Sequence, residues 1–193
     1  DYFGNAAALS IIGLVQMATM FITVPLVKPL VAKYGKKEIS VVGMVFASAL
    51  YIVLFFLKGI ETMPFIAVVA IAMMGMSFYN FITYAFISDV IDYHEYLTSL
   101  REDATVYSIV SMSRKIGQAV AGGIGGVAIA AVGYNATLGT QPQEVLDGIY
   151  MLGTLVPGIL YGVIAVVLFL YPLNKQKTIQ LSKDLAAKRN ANN

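Results

Sequence analysis

The chain contains no cysteine and only one histidine. Without cysteine there is no disulfide framework, no thiolate-bound zinc and no thiol chemistry. A single histidine leaves no multi-histidine metal centre, so neither a metal site nor a cofactor is expected. Charge is scarce too. Charged residues make up 12% of the chain against 58% hydrophobic, and the mean hydropathy is +0.75. Soluble domains carry about 25% charged residues, so the composition marks an all-α, multi-pass membrane protein. No basic surface interleaved with aromatics points to nucleic acid. The opening Asp1-Tyr-Phe-Gly-Asn5 reads as the tail of an earlier element, and the chain as a piece of a longer protein.

What is present is a set of apolar stretches, each close to the about 20 residues a helix needs to cross a bilayer. They run from about Ala7 to Leu30, Ile39 to Leu57, Met63 to Ser88, Ala104 to Gly133 and Ile149 to Tyr171. Together they make residues 1–173 a transmembrane bundle, followed by a basic tail over 174–193. Lys and Arg orient such a bundle. Lys28, Lys33, Lys36 and Lys37 surround the first connection, Arg101 lies in the third, and Lys175, Lys177, Lys183, Lys188 and Arg189 crowd the tail. The opposite side has Lys58 alone. The fourth connection carries Glu144 and Asp147 with no Lys or Arg. The first connection, the third and the C-terminus are therefore expected in the cytoplasm, an assignment that alternates through all the stretches.

Arg114 and Lys115 interrupt the fourth stretch. A cation at the bilayer centre costs about 2.5–3.5 kcal/mol on insertion scales. It faces a cavity, a carboxylate or a polar ligand, or else it snorkels to the interface. Tyr107, Ser111, Lys115 and Gln118 follow at spacings of four, four and three, which places them on one helical face. An aromatic ring, a hydroxyl, an ammonium and an amide on one face suit a polyhydroxy ligand, and equally a polar seam between helices. Arg114 is about 100° around from Lys115, so one cation is expected to serve a cavity and the other to pair with a carboxylate of the third connection. The same stretch carries two small-residue ridges, Gly117–Ala121–Gly125 and Gly122–Gly126, which predict close packing against other helices. Pro25, Pro29 and Pro157 each remove a backbone hydrogen bond and predict kinks.

In the third stretch Asn80, Thr83, Tyr84 and Ile87 share a face, and Asn80 is expected to turn inward because an amide facing lipid is costly. The segment Ser88 to Asp103 is dense in charge. Asp89, Asp92 and Glu95 recur every three residues, as on a helix extension. These acids are expected to form a charge network with Arg101, Arg114 or the lysines of the first connection. His94 is the one group there that titrates near neutral pH, and it reads either as a solvated loop residue or as a proton-coupling group.

Several runs then carry a resemblance. Val31-Ala-Lys-Tyr-Gly-Lys-Lys37 resembles the basic, Gly-containing loop of the major facilitator superfamily. Asp89-Val-Ile-Asp92-Tyr-His-Glu95, Arg101-Glu-Asp-Ala-Thr-Val-Tyr-Ser108, Ser113-Arg-Lys-Ile-Gly-Gln-Ala119 and Gly133-Tyr134 in succession are similar to the tenth-to-eleventh-helix region of the glycoside–pentoside–hexuronide:cation symporters. The Arg-Lys-Ile-Gly-Gln-Ala run and the terminal Tyr171-Pro-Leu-Asn-Lys175 resemble the glucuronide and xyloside carriers most.

That resemblance implies the C-terminal bundle of a twelve-helix fold, with helices eight to twelve present and residues 1–5 ending helix seven. It implies sugar transport with Na+, Li+ or H+ by alternating access in the cytoplasmic membrane. The N-terminal six-helix bundle would be the partner and would hold most of the coupling-cation site. Lys115 falls on a lysine that lines the family's central cavity, with Tyr107, Ser111, Gln118, Asn80, Thr83 and Tyr84 as further candidate substrate contacts. Asp89, Asp92, Glu95, Arg101 and Arg114 fall to a candidate cytoplasmic gate. His94 departs from a glycine common at that place.

A facilitator for a lipid-like or drug-like solute is the second reading. It would need a more apolar cavity around Lys115. A membrane enzyme would need acids and histidines clustered at one depth, and a purely structural subunit would have no reason to carry buried charge. No catalytic residue is expected. The topology can be tested cleanly, because the chain has no cysteine of its own. Lys36→Cys, Ser99→Cys and Asn190→Cys should resist impermeant thiol reagents in intact cells, and Gly139→Cys should react. Labelling of the Ser99→Cys variant from outside would overturn the arrangement.

Overall fold

The computed structural model describes residues 2–3 and 7–191, less the side chains of Leu9 and Ala191. The described residues form a chain of helices: α1 (Ala7–Tyr34), α2 (Lys36–Phe56), α3 (Thr62–Thr98), α4 (Asp103–Ala131), α5 (Gln143–Leu170) and α6 (Lys175–Ala191). In lipid every backbone polar group must be satisfied within the protein, which leaves helices as the way for such apolar runs to cross. α1, α2, α3 and α5 are long and apolar enough to span. α4 has 29 residues, ample length, but its two cations and many small residues lower its hydropathy below that of the others. Of the residues assigned to the end of a preceding helix, Tyr2 and Phe3 form a turn, with Tyr2 stacked on Tyr150 at 4.6 Å. Asp1, Gly4 and Asn5 lie outside the described residues.

Contacts between helices sort the helix ends into two levels. Lys36 on α2 meets Asp89 on α3, Lys37 meets the Tyr171 carbonyl after α5, and Lys175 on α6 meets the Ala32 and Lys33 carbonyls at the end of α1. At the other level Lys58 meets Asp147, and the Tyr150 hydroxyl donates to the Leu54 carbonyl at the end of α2. The helices therefore alternate in direction, as the lysine pattern requires. The turn between α1 and α2 is a single residue, Gly35, at φ 110°. A Cβ there would meet the Glu38 carboxylate and the Lys175 Cβ.

α2 is the packing centre, lying against both α3 and α5. Ala47, Tyr51 and Leu54 of α2 bury against Val69 and Ala72 of α3. Gly43 and Gly75 allow this approach: a Cβ added at Gly43 would lie 2.6 Å from the Gly75 carbonyl oxygen, and one added at Gly75 would strike the Gly43 carbonyl. Toward α5, the Ser48 hydroxyl donates to the Gly158 carbonyl at 2.7 Å, beside Pro157. Gly158 and Gly162 give Ile52 and Ser48 their space.

Two sequence expectations change here. α3 runs on to Thr98, ten residues past Ser88, so the charged segment is mostly helix and only 99–102 connects it to α4. Ser99, in the left-handed region at φ 60°, ends α3. Among the described residues nothing packs on the glycine ridges of α4: no residue of α4 is buried, and a Cβ at Gly117, Gly122, Gly125 or Gly126 meets no other atom within 4 Å. The close approach uses isolated glycines on α2 and α3 instead. Pro25 and Pro29 lie within α1 and Pro157 within α5.

Overpacking a tight contact costs about 1–3 kcal/mol. Gly43→Ala and Gly75→Ala should each lower the melting temperature of the detergent-solubilised protein by several degrees. An equal melting temperature for both variants would show that α2 and α3 are not in contact there.

Candidate functional site

Polar side chains gather in two places: part-way along α3 and α4, and at the helix ends shared by α1, α2, α3 and α6. The first is set by helix geometry. Arg114 follows Tyr107 by seven residues, about 20° short of two full turns. Taking Tyr107 as zero, Gln118, Ser111 and Lys115 lie at about +20°, +40° and +80°, and Arg114 at about −20°. All five sit within an arc of about 100°, and the two cations form its edges. The spacing already contained this; grouping Lys115 with Tyr107 by fours hid the fact that Arg114 shares the stripe.

Tyr107, Ser111 and Lys115 line one open hollow together with Ser108 and Met112. On the other edge Arg114 donates from Nη1 to the Tyr84 hydroxyl of α3 at 3.3 Å. The expected carboxylate partner for Arg114 is not found among the described residues. Lys115 has no hydrogen bond or ion pair among them. Gln118 is exposed further along α4. On α3, Asn80 is exposed rather than turned into the bundle, and Thr83 returns its hydroxyl to the Tyr79 carbonyl of its own helix at 2.8 Å. Tyr84 is thus the α3 candidate that reaches α4.

The second place is a cluster of charge. Asp89 is buried, its side chain 6% exposed, and its Oδ1 sits 2.5 Å from Lys36 Nζ. Arg101 reaches Glu95 at 2.9 Å, Asp92 at 3.1 Å and Asp103 at 2.8 Å. Arg189 of α6 joins the same Glu95 at 2.5 Å. Hydrogen bonds donated to Glu95, Asp103 and Asp92 raise the pKa of the Arg101 guanidinium further above its ordinary value, and the bond to Glu95 does the same for Arg189. His94 Nε2 lies 3.3 Å from Glu102, with both side chains exposed. Lys188 donates to the Tyr96 carbonyl and the Ser99 hydroxyl, both at 3.1 Å. Leu181 and Leu185 of α6 bury with Leu173.

The sequence reading brought Asp89, Asp92, Glu95 and Arg101 to one place, and they share it. It missed Arg189, Lys188 and Lys175. The available signal was complementarity between a basic tail and an acidic run. Arg114 belongs to the other group.

These features define a multi-pass helical membrane protein with a polar stripe inside one helix and a charge cluster over one end. The sequence family described as MFS/sugar transport protein matches residues 1–175. The chain belongs to that family, whose members are transporters and not enzymes. It is 32% identical to an uncharacterized symporter of Bacillus subtilis over 96% of its length and 40% of the relative's. A proposed sulfoquinovose importer of Salmonella typhimurium is 31% identical over 96% of the chain and 39% of its own length. A glucuronide carrier protein homolog of Escherichia coli is 34% identical over 79% and 33%. The chain thus spans about two fifths of the length of the curated relatives it matches.

Removing one partner of a buried ion pair strands the other, at about 3–5 kcal/mol, against about 0–1 for exposed pairs. With Lys36 27% exposed, a Lys36→Met, Asp89→Asn double-mutant cycle should give a coupling between those limits. Simple additivity of the two losses in unfolding free energy would show that the pair contributes nothing.

Proposed function

We propose that this chain is part of a secondary active transporter that couples uptake of a glycoside, pentoside or hexuronide to Na+, Li+ or H+ by alternating access. The observation that carries the reading is the α4 stripe. Tyr107 and Ser111 line a hollow with Lys115, and Arg114 is held against α3 through Tyr84. An aromatic ring beside hydroxyl and cationic donors suits a sugar, with an apolar face for stacking and hydroxyls for hydrogen bonds. The names of the relatives, a symporter, an importer and a glucuronide carrier homolog, support the same class.

On this reading a six-helix N-terminal bundle completes the carrier and holds most of the cation site. The charged end is cytoplasmic, following the Lys/Arg asymmetry. The Lys36–Asp89 pair and the Arg101–Glu95–Arg189 cluster bias one conformation and must rearrange in the other. His94 sits at that end, away from the stripe. The lipid-like alternative gains little from another hollow, of about 950 Å3. Phe65, Met73 and Tyr150 are among its lining, but Lys115 is not.

The test is solute accumulation by the reconstituted protein under imposed Na+, Li+ or proton gradients. Uptake above equilibrium, collapsed by the matching ionophore, is expected. Lys115→Ala should weaken substrate affinity or coupled uptake more than membrane insertion, and Lys115→Arg should restore part of it. Uptake that stops at equilibrium under every gradient would remove the coupling. Undiminished affinity and uptake in Lys115→Ala would remove Lys115 from the site.

A further inference from the structure

The end of α1, the first residues of α2 and α6 and the link after α5 surround a cavity of about 200 Å3. Three lysines line it, Lys36 and Lys37 from the start of α2 and Lys175 from the start of α6. Val31, Leu173 and Ile179 give it apolar walls. Each lysine is held in place by its own contact. Lys36 pairs with Asp89, Lys37 donates to the Tyr171 carbonyl at 2.7 Å, and Lys175 donates to the Ala32 and Lys33 carbonyls at 2.7 and 2.8 Å. A carbonyl orients an ammonium without cancelling its charge. An ammonium has three donors, so Lys37 and Lys175 both keep capacity for a further acceptor. A second carboxylate is close: Glu38 lies against Gly35, where an added Cβ would meet it. Three lysines thus face two carboxylates, which leaves one positive charge over. A phosphodiester carries one negative charge and matches it.

Position decides which phosphodiester. Lys37 Nζ also sits over the Phe169 ring, 5.5 Å from its centre. Phe169 is 67% exposed and Leu170 73%, at the end of a helix long and apolar enough to span. Tyr34 and Tyr171 stand at the same level, at the ends of α1 and α5, as tyrosines do at a membrane–water interface. The cavity is therefore at headgroup depth, basic on one side and apolar on the other. Basic pockets between helices at this depth hold anionic headgroups. A free phosphate would have no use for the apolar walls.

We propose that this cavity binds the headgroup phosphate of an anionic phospholipid, with Lys37 and Lys175 as donors and the acyl chains laid along Phe169 and Leu170. A lipid seated there joins the start of α6 to the ends of α1 and α2. The site does not depend on the transport reading above.

The test is lipid titration of the protein, expressed from its own gene and purified in detergent, read by native mass spectrometry. Dioleoyl phosphatidylglycerol should bind about fivefold or more tightly than dioleoyl phosphatidylcholine, which has the same chains and no net charge. Lys37→Gln and Lys175→Gln should each lower the phosphatidylglycerol affinity by about fivefold, the worth of one lysine at an anionic surface. Lys183→Gln, exposed on α6 outside the cavity, should leave it unchanged. Phosphatidylglycerol should also raise the melting temperature, and inorganic phosphate should not. Equal affinity for the two lipids overturns the inference. An equal loss in Lys183→Gln does so too, because it shows diffuse attraction to a basic surface. Inorganic phosphate that raises the melting temperature as much as phosphatidylglycerol does assigns the cavity to a soluble anion and also overturns it. The comparison of the two lipids needs no substitution, so it decides even where a variant fails to fold.

Discussion

Apolar side chains gain nothing by leaving lipid for one another, so helices in a membrane are held by close van der Waals fit and by hydrogen bonds. In this chain both are concentrated on α2. Gly43 lets its backbone touch α3 at Gly75, and Ser48 bonds the Gly158 carbonyl of α5. Tyr150 of α5 closes the far end of α2 through the Leu54 carbonyl. α1, α3 and α5 take their places around this axis. α4 has no such contact with α2, and it stands off with both its glycine ridge and its polar stripe uncovered.

The spanning helices were legible because apolar run length is a strong signal. Their alternation was legible from lysine counts alone. The end of α3 was not. Ten residues with several charges read as a loop, because hydropathy marks where a helix leaves lipid rather than where it stops. The three-residue spacing of Asp89, Asp92 and Glu95 was the correct hint, and it counted for little beside the charge. Close packing was misplaced for a related reason. A run of glycines permits approach but does not supply the partner, whereas Gly43 and Gly75 are single residues that no motif singles out. Within the candidate site, the α4 stripe could be read from periodicity. The Tyr84–Arg114 contact joins residues thirty apart, and nothing local encodes it.

The charged end does more than pair acids with bases. Helix C-termini leave carbonyls without partners and carry a partial negative charge. Lys175 meets two of those carbonyls at the end of α1, and Lys37 meets one just past α5. The same basic residues from which the orientation is expected therefore also meet carbonyls at the helix ends. Glu95 has a different part. It is shared by Arg101 from the α3–α4 turn and Arg189 from α6, so a single carboxylate ties the turn and the tail helix to α3.

α3 has 37 residues, about 55 Å of rod against a hydrocarbon layer of about 30 Å. Its overhang is a lever arm. Tilting the whole rod by about 10° displaces one tip relative to the other by about 10 Å, from its length alone. α6 is fastened to that overhang through Glu95, Tyr96 and Ser99, and would travel with it for as long as those contacts hold. A modest rocking within the bilayer thus becomes a large sweep at the surface, read out by the last helix of the chain.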